Sequence, residues 1–238
     1  MQGELEKALA IVANHEARVT TCGRTDTGVH ALGQVAHFDS PAKRSERSWV
    51  LGLNSNLPDG ISVRWVRPVD DEFHARFTAF SRSYRYRILN RWVRPALENR
   101  RASWVRQPLD EAAMNQAAQY LLGEHDFTSF RATGCQATHA VREIQSISVA
   151  REGEVINLDI SANGFLYHMV RNIAGSLIRV GKGKAQPDWI RELLIAQDRK
   201  QAAPTAQPDG LYFLGARFPE KFGLPDRAPT FQGEECLK

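Results

Sequence analysis

Two hydrophobic periods trade places along this chain, and that alternation constrains its fold more than any other feature. From Gln2 to Ala13, residues Leu5, Leu9 and Val12 fall on one stripe, the spacing of a helix that buries one face. Arg18 to Gly23 and Gln34 to Asp39 read as strands. Ser45 to Asn56 reads as a helix around Trp49, Val50 and Leu53. Ile61, Val63 and Trp65 alternate, which predicts a strand over 61–69. A longer strand follows over Ser83 to Asn90, with Tyr84, Tyr86 and Ile88 on one face and Arg85, Arg87 and Leu89 on the other.

The second half repeats the exchange. Arg94-Pro95 to Gln107-Pro108 reads as a connection, and Leu109 to Leu122 as a helix with Leu109, Ala113, Ala117 and Leu121 in register. His125-Asp126 reads as a loop. Strands are expected at Val141 to Ala150 and Val155 to Ala162. A helix is expected over Leu166 to Val180, with Met169, Ile173, Leu177 and Val180 inward and Tyr167, Arg171, Gly175 and Arg179 on another face. Pro187 opens a shorter helix, Leu211 to Phe218 forms a last strand, and the tail after Pro219 reads as irregular. Helices thus alternate with strands twice over. The expected class is α+β, in two similar halves, residues 1–100 and 101–238, each an antiparallel sheet with helices on one face.

Composition narrows the partners. The chain has 238 residues, enough for a sizeable core. No run of about 18 apolar residues suggests a membrane span, and the first residues lack the pattern of a secretory signal. Cys22, Cys135 and Cys236 stand far apart, with no CxxC pair. That suits reduced thiols in a cytoplasm and argues against a disulfide framework or a zinc site. Net charge is only +4, yet 24 of the 31 basic residues are Arg. Eleven of those lie between Arg64 and Arg106, against Asp70, Asp71, Glu72 and Glu98. Arg matches phosphate with a planar fork and stacks on bases, so an Arg-dense region suits a nucleic-acid surface and equally a solvated basic face.

Gly23-Arg24-Thr25-Asp26-Thr27-Gly28-Val29-His30 joins two strand-like segments and sets a carboxylate between glycines. Such a carboxylate can serve as nucleophile or base, or simply cap an Asx turn. His30, His37 and His168 form no cluster with metal-ligand spacing. No phosphate-binding G-x-x-x-x-G-K-[ST] run is present, so no nucleotide cofactor is suggested.

The string GRTD-x-GVH followed by GQVAHF closely resembles the signature of the bacterial tRNA pseudouridine synthase A family. LNSNLP at 53–58, FHARF at 73–77, RSYRYRI at 82–88, LLGEHDFTSF at 121–130, NGFLYHMVRN at 163–172 and GLYFLGARF at 210–218 resemble it too, in order. The resemblance implies the pseudouridine synthase fold, ferredoxin-like halves whose sheets join across a central basic cleft. It implies isomerisation of uridine to pseudouridine at positions 38 to 40 of the tRNA anticodon arm, by a cytoplasmic homodimer without cofactor or metal. The family's catalytic aspartate falls on Asp26. Arg24 is implied to help extrude the nucleotide, Tyr84 to stack on the base, Arg171 to pair with the carboxylate, and Leu211 to wall the pocket. Phe73, His74, Ala75, Arg76 and Phe77 are implied RNA contacts. So are Arg44 and the loop Gly134, Cys135, Gln136, Ala137 and Thr138.

Two features depart from the family pattern. Thr27 stands where the family usually has Ala; its hydroxyl is capable of a hydrogen bond to Asp26, and the change is expected to be tolerated without loss of activity. The family begins with a strand and an aromatic, glycine-rich loop ahead of the first helix. Here Met1 stands at that helix, and the strand is expected to belong inside the first sheet. Two rivals remain at this point. A non-catalytic RNA binder would bind tRNA in a salt-sensitive way without product. A carboxylate-dependent nucleoside or glycoside hydrolase would need a second positioned carboxylate.

Overall fold

In the computed structural model, which describes residues 1–225, the elements run α1 (Gln2–Ala13), β1 (Thr20–Thr21), β2 (His30–Ala31), β3 (Ala36–His37), α2 (Glu46–Asn56), β4 (Ser81–Asn90), β5 (Ser103–Val105), α3 (Glu111–Gln119), β6 (Gly123–Asp126), β7 (Val141–Glu152), β8 (Val155–Ala162), α4 (Met169–Gly181), α5 (Trp189–Ala196) and β9 (Leu211–Arg217). They sort into two units that interleave along the chain. Of the described residues, the smaller holds Met1–Arg24, Gln34–Ala79 and 218–225; the larger holds Thr25–Gly33 and Phe80–Arg217. Residue 100 lies inside the larger unit. Of the tail read as irregular, Glu220–Phe222 forms a short 3₁₀ turn; its last residues, Cys236 among them, lie outside the described ones.

In the smaller unit, α1 and α2 bury facing stripes. Ala8, Leu9, Val12 and Ala13 meet Trp49 and Leu53, with Val19 beside them. Gly52 lets the helices approach, since a Cβ there would sit 3.0 Å from Val12. Ser45 caps α2 by accepting from the Ser48 amide, worth about 1 kcal/mol. β1 and β3 pair antiparallel, Thr20 opposite His37 and Thr21 opposite Ala36. The strand expected over 61–69 does not form. Val63 satisfies its backbone N–H and C=O with the side-chain amide of Asn54, both bonds at 2.8 Å, so it needs no strand partner. Val63 and Val66 still pack on the core.

The larger unit is built on one seven-stranded sheet, ordered β2-β9-β4-β8-β7-β6, with β5 also paired to β4. Its two faces follow from the alternation in β4. Tyr84, Tyr86 and Ile88 lie opposite Ile160, Leu158 and Ile156 of β8. This apolar face joins a core with Met114, Ala117, Leu121, Ile173, Leu177 and Leu193 of α3, α4, α5 and their flanks. Each such Ile or Leu contributes roughly 1.5–3 kcal/mol by leaving water. On the other face Ser83 bonds Ser161, and Arg85 grips Asp159 through two bonds of 2.6 and 2.8 Å. Within this unit α3 and α4 pack on the apolar face.

The chain is thus a mixed α and β protein. The expected antiparallel sheet needs correction, because β2 pairs with β9 and β5 with β4 in parallel. Both short strands come from stretches that read as loop or connection. β6 likewise occupies the His125-Asp126 stretch read as a loop. The Arg-dense stretch is also less free than its charge implies. Arg85, Arg87 and Arg91 pair with Asp159, Glu98 and Glu154.

Candidate active site

Asp26 stands in the larger unit, on the loop between Thr25 and β2. Several constraints fix that loop. The Val29 amide donates to the Asp26 carbonyl at 3.0 Å, closing a turn. Gly28 adopts φ +87°, and a Cβ there would sit 3.0 Å from Pro208 and 3.1 Å from Asp209, so the turn demands glycine. Beyond it, His30 and Ala31 pair with Tyr212 and Phe213 of β9, and the His30 ring stacks on Tyr212 at 4.6 Å. The carboxylate is therefore carried by a strand docked beside the central strands.

Arg171, in the first turns of α4, reaches back across 145 residues and donates to Oδ2 of Asp26 at 3.2 Å. Its side chain is 13% exposed. It is aimed by a strap over 202–206 that lies against α4. The Arg171 Nε donates to the Ala206 carbonyl at 2.9 Å, and the Ala206 amide donates to the Arg171 carbonyl at 3.1 Å. Arg199 ties the strap down by donating to Ala202, Ala203, Thr205 and the buried Asn172. Asn172 in turn donates to the Phe130 carbonyl. Gly175 faces Pro204, whose carbonyl leaves no room for a Cβ.

A second group meets the same carboxylate. His168 Nε2 lies 2.9 Å from Oδ2. His168 precedes α4 with φ +58°, and its ring stacks on Tyr167 at 3.9 Å. Burial, helped by the charges of Arg171 and Arg199, holds its pKa below the usual 6.5 against the pull of Asp26. The sequence sets His168 aside as a metal ligand and gives it no place at Asp26. The available signal was its three-residue spacing from Arg171, which places both at the start of one helix.

Tyr84 lies on β4 opposite Phe213, beside a break in the β4–β9 register between Ser83 and Tyr84. Such bulges re-aim side chains. Its ring meets Phe165 edge-on at 5.0 Å and Phe213 at 5.1 Å, and it remains partly exposed. Leu211 pairs with Tyr86 and is 7% exposed. Burial pushes the Tyr86 phenol up to about 12, and it donates to the Gln207 carbonyl.

The remaining sequence candidates scatter. Arg24 ends the first stretch of the smaller unit and is exposed, as is Arg44. Thr27 is exposed, and no hydrogen bond joins it to Asp26 among the described residues. In FHARF, Phe73 packs between Phe218 and Phe222 and Ala75 is fully buried. The contact expectation there narrows to His74, Arg76 and Phe77. Phe77 is 74% exposed, stacks on His74 at 4.3 Å and carries Arg76 over its ring. In the larger unit the Gly134–Thr138 loop is held by Arg131, which donates to the Cys135 and Ala137 carbonyls. Gly134, Gln136 and Thr138 are exposed, while Cys135 and Ala137 are half-buried.

A family model for tRNA pseudouridine synthase matches residues 1–78 and 117–219. The chain is 54% identical over 225 residues to tRNA pseudouridine synthase A of Xylella fastidiosa strain M23, covering 94% of this chain and 88% of that protein. It is 54% identical over 228 residues to the protein of that name from Shewanella piezotolerans, covering 96% and 87%. The Stenotrophomonas maltophilia strain R551-3 protein of that name is also 54% identical, covering 94% and 88%.

Proposed function

This chain belongs to the tRNA pseudouridine synthase family, and from that premise we propose that it isomerises uridine to pseudouridine in the anticodon arm of tRNA, with Asp26 as its catalytic residue. The observation that carries the assignment of Asp26 is its ion pair with Arg171, a guanidinium brought across 145 residues to a half-exposed carboxylate. A guanidinium at this distance makes a charge-assisted hydrogen bond that holds the carboxylate in place for a role as nucleophile or base.

The reaction needs little else from the protein. A uridine stacked in an RNA arm hides its glycosidic bond, so it must leave the stack, at a cost of a few kcal/mol. Tyr84 offers the flipped base an aromatic face, worth roughly 1–3 kcal/mol. Leu211 supplies apolar wall, and Arg24 occupies the vacated space or holds displaced phosphate. Asp26 then acts on the ribose or the uracil. The bond from C1′ to N1 breaks, the uracil turns, C1′ bonds to C5, and the C5 hydrogen leaves as a proton while N1 gains one. Atoms and electrons balance within substrate and water, so no redox partner is implied.

Arg44, His74, Arg76, Phe77 and the Gly134–Thr138 loop are the side of the reading that grips RNA. The resemblance further supports two similar halves with sheets joined across a basic cleft, a homodimer and a cytoplasmic setting. Among the described residues the charged groups in contact with Asp26 are a guanidinium and an imidazole. The test is to incubate unmodified tRNA with the protein and map pseudouridine by carbodiimide adducts that stop reverse transcription. Stops confined to the anticodon arm support the reading. Free uracil, or binding without any stop, overturns it.

A further inference from the structure

Arg171 and His168 approach the same oxygen of Asp26. Arg171 is 3.2 Å and His168 Nε2 is 2.9 Å from Oδ2. Among the described residues, Oδ1 accepts no hydrogen bond. The convergence is not a casual surface contact. His168 holds a left-handed backbone, strained for a residue with a Cβ, and such strain persists where its surroundings enforce it. Its ring is fixed by Tyr167, and its carbonyl accepts from the Asn172 amide at 2.9 Å as α4 begins. A ring nitrogen facing a carboxylate oxygen must carry the proton, because two lone pairs would repel.

We infer that His168 is a positioning residue for the reaction: with Arg171 it clamps Oδ2 of Asp26, so that Oδ1 is the oxygen presented to the flipped nucleotide. This rests on the reading of Asp26 as the catalytic residue. The charged groups acting on the imidazole are Asp26 from the loop, Arg171 from α4 and Arg199 from the segment after α5. Their balance, with burial, keeps the ring neutral near pH 7. A neutral donor orients the carboxylate without placing a second full positive charge on it. Acidification converts that donor to an imidazolium 2.9 Å from Oδ2, which draws electron density from the carboxylate and slows it as nucleophile or base.

Single-turnover rates of pseudouridine formation in tRNA, measured between pH 5 and 8 alongside tRNA affinity, test the inference. The proteins are wild type, Asp26→Ala, His168→Ala, His168→Asn and His168→Gln. Asn suits the left-handed backbone but is too short to reach Oδ2, which guards against a folding artefact. Loss of the clamp lets the carboxylate rotate, and misplacement on the scale of an ångström slows reactions by up to about 100-fold. His168→Ala and His168→Asn should therefore slow by about 10- to 100-fold, with tRNA affinity within about twofold of wild type. His168→Gln, whose amide N–H reaches the same oxygen and does not titrate, should recover to within about fivefold. It should also lose the acid limb of the wild-type profile below pH 6.5. An active wild type with an equally active His168→Ala overturns this inference alone. So does a Gln variant as slow as Ala with an unchanged acid limb. An inactive wild type overturns the catalytic reading and the inference with it.

Discussion

Gly175→Ala should harm activity far more than stability. A Cβ at 175 would overlap the Pro204 carbonyl, well inside the 3.0 Å that real Cβ atoms keep. The neighbour is backbone, so the 202–206 strap must move by about 1 Å. Overpacking of this kind costs about 1–3 kcal/mol. Alanine returns about 1 kcal/mol in helix propensity at an interior position of α4. The net is a loss of about 0–2 kcal/mol, or a fall in Tm of up to roughly 8 °C for a chain of this size. The strap, however, carries the Ala206 carbonyl that aims Arg171 at Asp26. A 1 Å displacement there costs about 100-fold in rate. Thermal unfolding and the rate of pseudouridine formation, measured on one preparation, separate the two effects. A Gly175→Ala protein with a higher Tm and wild-type rate would refute the claim that the strap aims Arg171.

Other consequences follow from the same geometry. Arg171→Ala removes a charged hydrogen bond worth roughly 1.5–3 kcal/mol, so the rate should fall about 10- to 150-fold; an unchanged rate would detach Arg171 from the site. Tyr84→Ala removes the stacking face and should lower kcat/KM by a similar 1–3 kcal/mol, whereas Tyr84→Phe should keep most of it; equal losses would mean the ring is not the functional part. Stability should fall as pH drops below 6.5. Burial holds the folded pKa of both His37 and His168 below the usual 6.5, helped at His37 by the nearby His74. The unfolded chain therefore takes up protons first, and stability present above pH 6.5 is lost below it. His37 Nδ1 also accepts from the Ala75 amide at 3.1 Å, a bond that protonation removes. Tm measured from pH 7.5 to 5 should decline, and less steeply in His37→Gln; a flat profile contradicts the account.

What was legible in the sequence follows from where each signal lies. α1 and α2 appear within a residue of their expected spans, and β4, β7 and β8 within two, because their periods run long enough to be unambiguous. β2, β5 and β6 left no trace. Each has two to four residues, among Gly, Pro or polar neighbours, and exists only because a longer strand offers it an edge. The strand expected at 61–69 failed for the opposite reason, since its alternation is real but Asn54 took the backbone groups that a strand would share. Charge misled in a similar way. Arg85, Arg87 and Arg91 count as basic in the chain, yet their carboxylate partners sit far off in sequence or across a loop.

The site was legible only through motif resemblance. Nothing in spacing or periodicity could place Asp26 against Arg171. The resemblance named those two and passed over His168, which physical proximity alone brings to the carboxylate. Nor did it separate the buried Phe73 and Ala75 from the exposed Phe77 within one five-residue motif.

The most direct test of the account uses tRNA labelled with tritium at uracil C5, because that hydrogen must leave when C5 takes up the ribose. The account predicts release of tritium to water by this protein and none by its Asp26→Ala variant. Release undiminished in Asp26→Ala would contradict the assignment of the chemistry to that carboxylate.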